Sequence, residues 1–300
     1  MYLVTFLFER QESLGVLTSD RQQIIPLETI IQQSTPGTMV EFIEMLSQDS
    51  AGNSDAYFEQ LQKAADEKNG LSLNSVKVLA PIPRPPRGVI CMGKNYQEHV
   101  QEIAEATKQA ADIPKYPVYF HKIVDQAPGH QDNIPNHNAI TKALDYEVEL
   151  AVVIGKEGKN IPAEKAEEYI FGYTILNDIT ARDLQKRHQQ WYKGKSLDGT
   201  CPMGPYLVHK SAIDFPPALN IQCYVNGELR QNDNTRNLIY DIPHIISDFS
   251  RGLTLKPGDI ISTGTPSGVG MGFKPFKFLK SGDKIDCNIE QIGTLTNIVE

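Results

Sequence analysis

From residue 88 onward the apolar residues fall in short β-rich runs, at 88–92, 146–154, 169–176, 221–225, 259–263 and 284–289, each bounded by Pro, Gly, Asn or Asp. Helical periodicity is confined to 96–108, 163–168 and 241–249. Strands and helices therefore do not alternate, which argues against a doubly wound parallel sheet and for an α+β, mainly β fold on a folded or barrel-like sheet. Just ahead lies Ala80-Pro-Ile-Pro-Arg-Pro-Pro-Arg-Gly88, stiff and poor in N–H donors, as a connector is. It divides the chain into a small N-terminal α+β domain at 1–76 and a catalytic domain at 77–300. The small domain is expected to hold strands at 2–8 and 14–17 and helices near 39–46 and 57–65, and to carry no chemistry. No internal repeat or low-complexity tract is present.

A formal net charge of -8 speaks against a nucleic-acid or anionic-membrane surface, either of which needs clustered Lys and Arg. The partners expected are small molecules or protein. Cys91, Cys201, Cys223 and Cys287 form no CxxC pair and read as isolated thiols of a reducing, cytoplasmic compartment. The opening run at 1–10 has no basic region before it, is too short for a membrane span, and reads as a strand.

The first chemical feature is Asp145-Tyr-Glu147-Val-Glu149 at the head of an apolar strand. Residues two apart on a strand share a face, so Glu147 and Glu149 would set two negative charges side by side at the edge of a buried sheet. That is unfavourable unless a cation or a proton lies between them. A second apolar run ends in Asn177-Asp178 and can deliver a third carboxylate. Three carboxylates with waters suit Mg²⁺ or Mn²⁺; zinc fits poorly, since no His or Cys falls near these acids. Alone, a Glu-x-Glu pair is more often a solvated strand edge. Lys195, in the Gly- and Pro-punctuated segment 191–205, tips the balance: three carboxylates, one divalent ion and one lysine sum to neutral, and a neutral site accepts an anionic substrate.

Five motifs occur in order: Gly93-Lys-Asn-Tyr-Gln-Glu-His99-Val-Gln-Glu102, Asp145 to Leu150, Asn177-Asp-Ile-Thr-Ala-Arg-Asp-Leu-Gln185, the segment 195–205, and Pro257-Gly-Asp-Ile-Ile-Ser-Thr-Gly-Thr-Pro-Ser-Gly-Val-Gly270. Together they resemble the fumarylacetoacetate hydrolase (FAH) family, from about Pro81 to the C-terminus. Within it, 177–188, Lys195-Ser-Leu-Asp, Cys201-Pro-Met-Gly-Pro205 and the N-terminal domain are most similar to a bacterial branch that decarboxylates oxaloacetate. The resemblance implies an FAH-like mixed β-sandwich/β-roll catalytic domain, a homodimer, Mg²⁺ or Mn²⁺, and a small 2-oxo or β-dicarbonyl acid as substrate.

Carried over residue by residue, the resemblance gives the metal to Glu147, Glu149 and Asp178, the acids already picked by strand periodicity. It sets Lys195 and Gln185 around metal and substrate, and makes Gly264 and Thr265 substrate contacts, where free N–H groups of a glycine-rich turn can face a carboxylate. Lys122 follows a family-like pattern facing the site, although a solvated lysine is the plainer reading. His99 and Glu102, three apart on a helix, become an acid/base dyad on a mobile lid; without the Gly93-x-Asn-Tyr context they would read as a surface ion pair. Arg182 and Asp183 are expected to brace the Asp178 turn as a local ion pair. Arg236 stands where a longer or more acidic substrate would be selected, and the remaining histidines read as surface or packing residues.

The reaction expected is decarboxylation of oxaloacetate to pyruvate through an enolate. The alternatives are acylpyruvate or fumarylacetoacetate-type hydrolysis, dehydration of a 2-keto-3-deoxy sugar acid, and a non-catalytic regulatory or scaffold protein on the same fold.

Overall fold

The computed structural model describes residues 1–31, 35–48, 53–67, 70–108 and 110–300. The N-terminal part runs β1 (Tyr2–Phe8), β2 (Gln11–Leu17), β3 (Gln23–Pro26), α1 (Leu27–Ile30), α2 (Met39–Ser47), α3 (Asn53–Glu67), β4 (Leu71–Ser72) and β5 (Lys77–Val78). Both expected strands and both expected helices are present; β3, only four residues long and ending in proline, offers no readable alternation. Thr38 starts α2 with a reciprocal capping box to Glu41, which satisfies donors left over at a helix N-terminus.

The chain continues through β6 (Val89–Gly93), α4 (Gln97–Thr107), β7 (Val118–Lys122), β8 (Asn133–Ile134), β9 (Leu144–Asp145), β10 (Val148–Ile154), β11 (Ile170–Asn177), β12 (Thr180–Ala181), α5 (Arg182–Arg187) and α6 (Tyr192–Lys195). It closes with β13 (Met203–His209), β14 (Asn220–Val225), β15 (Glu228–Asn234), α7 (Ile242–Phe249), β16 (Ile260–Ser262), β17 (Lys284–Ile289) and β18 (Gly293–Val299). The helical signal near 163–168 is a 3₁₀ segment, Ala163–Tyr169, begun by Pro162.

One sheet has the order β4-β3-β2-β1-β13-β11-β10-β16-β6-β7, with β5 also on β1; a second has the order β15-β14-β17-β18-β8; β9 and β12 pair separately. Pairing is antiparallel apart from β6 with β16 and β8 with β18. This is the α+β, mainly β architecture expected from the sequence.

All seven residues of β10 are buried, because the strand has a core on each side. Val148, Leu150, Val152 and Ile154 pack with Ile221, Cys223, Ile285 and Ile289 of the second sheet. Ala151 and Val153 face the other way, into a core shared with Phe42 and Leu61 of the N-terminal helices. Double burial turns an alternating strand into a continuous apolar run. Glu147 and Glu149 fall on the Ala151 face, at its open end.

The N-terminal residues are stitched to the rest. β1 pairs with β13 in the register Tyr2↔Val208 and Leu3↔Leu207, the Thr5 hydroxyl donates to Pro81 O at 2.7 Å, and Phe58 stacks on His209 at 4.3 Å. We propose the division at 76/77 as one of chemistry and not of folding. A 77–300 fragment would expose the β13 edge and the Phe171 side of the core, and is expected to aggregate when expressed alone. A monodisperse fragment with a cooperative thermal transition would show the reverse. Among the described residues no helix is long and apolar enough to cross a membrane.

Candidate metal centre and active site

The two acid-bearing segments are locked together by main-chain contacts. β10 and β11 pair with Val148 opposite Asn177; the Asp178 N–H donates to Glu147 O at 2.9 Å, and the Glu147 N–H donates to Asn177 Oδ1 at 3.0 Å. Glu147, Glu149 and Asp178 therefore converge: each offers a buried oxygen, and these oxygens lie within 4.8 Å of one another.

The cations around them are unevenly shared. Lys195 Nζ bridges Glu147 Oε2 and Asp178 Oδ2, at 2.6 Å from each. Arg182 donates from Nη1 to Glu147 Oε1 at 2.7 Å and from Nε to Asp145 Oδ2 at 2.8 Å. Lys122 donates to Asp178 Oδ1 at 2.6 Å and to Ile179 O at 2.8 Å. Glu149 has only neutral donors: Oε2 accepts the Ser262 hydroxyl at 2.5 Å and the Gly264 N–H at 2.8 Å.

The titration follows this division. Burial pushes the Glu147 carboxyl upward, but Lys195 and Arg182 outweigh it and bring it down to about 2. Burial, then the charges of Asp178 and Glu147, push Glu149 well above the usual carboxylate range. Oε1 of Glu149 accepts no hydrogen bond among the described residues, and the Glu149 carboxyl faces those of Glu147 and Asp178. A hard divalent cation fits this all-oxygen donor set. Four carboxylates, with Asp145, against Lys122, Arg182 and Lys195 leave the cluster at -1; a divalent cation would make it +1 and suited to an anion.

Opposite lies α4. His99 Nδ1 is 3.1 Å from Glu102 Oε2, and Glu102 Oε1 accepts the Gly268 N–H at 2.9 Å. Gly272 abuts the same carboxylate, where a Cβ would come within 1.9 Å of Oε1. The cavity between, about 460 Å³, is lined by His99, Glu147, Glu149, Gln185, Lys195 and Thr265 together with Arg182. Asp178, Lys122, Glu102 and Gly264 stand behind this lining and hold it. Aromatic and aliphatic side chains, Phe120, Trp191, Ile103 and Phe276 among them, form much of the remaining wall.

Several expectations change. Lys122 is not solvated: it is fully buried on Asp178. Arg182 does not pair with Asp183. It spans Asp145 and Glu147, while Asp183 accepts the Thr141 hydroxyl at 2.6 Å. The N–H groups of the glycine-rich turn serve the protein's own carboxylates: Gly264 on Glu149, Gly268 on Glu102, and Gly270 with Met271 on Asp145. The Thr265 hydroxyl donates to Val148 O at 2.9 Å and accepts from Gln231 Nε2 at 2.7 Å. Arg236 is exposed, turned onto Asn234, and does not line the cavity. Asp145 is the residue that sequence reasoning passed over. Its signal was its place two residues before Glu147, and it gathers Arg182 and the turn into one cluster.

The fold and this centre define a mainly β protein with a candidate divalent-cation site at the floor of an open cavity. Residues 88–300 match the fumarylacetoacetate (FAA) hydrolase C-terminal family model, and the chain belongs to that family. It is 49% identical over 288 residues to the oxaloacetate tautomerase YisK of Bacillus subtilis (strain 168), covering 95% of this chain and 92% of that protein. Among solved structures, a fumarylacetoacetate hydrolase from psychrophilic Exiguobacterium antarcticum superposes with a TM-score of 0.82 at 38% identity, over 100% of this chain and 99% of that one. The maleylpyruvate hydrolase of Sphingobium sp. SYK-6, in complex with manganese(II) and pyruvate, gives 0.76 at 27% identity over 100% and 98%.

Proposed function

We propose that this protein is a divalent-cation-dependent enzyme acting on oxaloacetate or a close 2-oxo acid, and that it interconverts the keto and enol forms of that substrate. Decarboxylation was the expectation from the sequence, but a relative sharing 49% identity is an oxaloacetate tautomerase. The observation that carries the reading is His99, which lines the same cavity as Glu147 and Glu149 and is paired with Glu102 behind it. Tautomerisation moves a proton off C3 and puts one on the 2-oxo oxygen, so it requires a positioned acid/base. Loss of carbon dioxide requires none to break its bond.

Glu147, Glu149 and Asp178 would hold Mg²⁺ or Mn²⁺, which when bound supplies Lewis-acid polarisation of a 2-oxo acid's carbonyl. Lys195 and Arg182 offset the carboxylates beneath the substrate and attract its anionic head. Glu102, fixed by the Gly268 N–H, holds Nδ1 of His99, which leaves Nε2 to exchange the C3 proton. Gln185, 3.3 Å from Arg182 Nη1, is placed to orient the substrate's head, with Thr265 across the cavity. A homodimer in the cytoplasm belongs to the same proposal. The second reading, acylpyruvate-type hydrolysis, draws on the likeness to a maleylpyruvate hydrolase that holds manganese and pyruvate.

The test is to strip the protein with chelator, restore Mn²⁺, and follow the enol absorbance of oxaloacetate alongside pyruvate release. Metal-dependent enol–keto exchange far faster than pyruvate release is expected. Pyruvate formed in step with absorbance loss would instead name a decarboxylase. Consumption of acetylpyruvate alone would name a hydrolase, and no turnover of either substrate would favour the scaffold role.

A further inference from the structure

Lys94 stands out in the cavity wall. It has φ +56°, the left-handed region that a lysine enters only at a cost and glycine enters freely. Both neighbours impose it. Gly93 is pressed against Trp191 so closely that a Cβ would lie 2.4 Å from Cζ3. Asn95, fully buried, donates to Tyr240 O and Thr263 O and accepts from the Tyr240 N–H, while its own carbonyl accepts from Ile239 N–H. The backbone at 94 is thus over-determined, and such strain gathers where a side chain has a task.

Lys94 lines the cavity, is partly exposed, and has no ion-pair partner among the described residues. Of the other cations lining the cavity, Lys195 and Arg182 are already held by carboxylates, and Lys186, on α5, is exposed to solvent. His99 follows on the same wall, five residues on. In oxaloacetate C3 also carries a carboxylate, and a substrate whose C3 proton reaches His99 can set that carboxylate toward Lys94 in the same cavity.

We propose that Lys94 is the recognition residue for the second carboxylate of the substrate, so that the cavity selects four-carbon dicarboxylates over 2-oxo monocarboxylates. This rests on the oxaloacetate reading for its reaction but not for its binding. The test therefore uses two inert four-carbon ligands on the Mn²⁺-loaded protein, malate and 2-hydroxybutyrate, which differ only in a terminal carboxylate against a methyl. Calorimetry should show Lys94→Gly weakening malate by about tenfold, the scale of one lost charge pair away from bulk water, with 2-hydroxybutyrate unmoved and Lys94→Arg close to wild type. Because glycine fits φ +56°, Lys94→Gly should melt no lower than wild type. Turnover should favour oxaloacetate over its 4-ethyl ester in wild type and lose that preference in Lys94→Gly.

Equal weakening of both ligands, or a fall in melting temperature, would make Lys94 a structural residue and overturn the proposal, as would unchanged malate binding. If wild type turns over neither oxaloacetate nor the ester, the reaction reading fails while the malate comparison still decides the subsite.

Discussion

Glu149→Gln should abolish manganese binding, weakening it by at least about 100-fold, while the metal-free variant unfolds at or above the wild-type temperature. Even residues one step removed from a metal typically cost 10–100-fold in affinity, so a lost ligand costs no less. Stability moves the other way because Glu149 receives only the Ser262 hydroxyl and the Gly264 N–H, and its charge is opposed by Asp178 and Glu147. An amide keeps an oxygen for both donors and removes the repulsion. Glu147→Gln should lose metal as well but also destabilise the apo-protein by about 3–5 kcal/mol, since it strips a charge partner from buried Lys195 and Arg182.

The two glutamates also leave opposite marks on the pH dependence of the metal-free wild type. Glu147 is depressed from 4.5 to about 2, so its contribution is fully present above 4.5 and is lost as the pH falls toward 2. Glu149 is raised above 4.5, so it favours the folded state when protonated, and that contribution is lost as the pH climbs through the raised value. Manganese affinity should rise with pH over this second window, because the cation must displace the proton. Thermal unfolding in chelator, carried from acid below the Glu147 window up to pH 8, and manganese calorimetry over the upper part of that range measure all of this. Equal destabilisation by both substitutions would remove the division of cations on which the centre is built.

Strand periodicity alone brought out the acids. Glu147 and Glu149 share a face whatever their partners are, and the apolar run behind them marked a strand of a buried sheet, which the structure buries on both sides. What compensates them was not legible. Lys122 comes from the end of β7, Lys195 from the end of α6 and Arg182 from the start of α5, and only the completed fold carries them to the same two carboxylates. A lone lysine has no local partner in sequence, so reading Lys122 as solvated was reasonable and incorrect. Arg182 was assigned to its neighbour Asp183, yet successive residues on a helix face different ways, and Arg182 reaches Asp145 and Glu147 instead. The glycines of 264–270 read as an anion cradle in the sequence. They are one, but for the protein's own Glu149, Glu102 and Asp145. The β1–β13 pairing that joins the N-terminal strands to the main sheet links residues about two hundred apart and has no local signature.

His99→Asn separates the reactions that one cation centre can support. Asparagine can still accept or donate toward Glu102 Oε2, now 3.1 Å from His99 Nδ1, but it cannot take up a proton. Enol–keto exchange of oxaloacetate should fall by about 10²–10⁴-fold, the usual worth of a positioned acid/base, and manganese affinity should hold because His99 is not among the three carboxylates proposed to hold the ion. Glu102→Gln should cost less, since it orients the ring and does not itself exchange the proton. Gly268 would keep an acceptor, and the loss should appear in kcat more than in KM. Pyruvate release separates the alternatives. Bond cleavage in decarboxylation is driven by electron withdrawal at the carbonyl, so a decarboxylase would keep most of its pyruvate production in His99→Asn. If exchange and pyruvate release fell together, the dyad would serve a step common to both, and tautomerisation would lose its claim to be the reaction the site was built for.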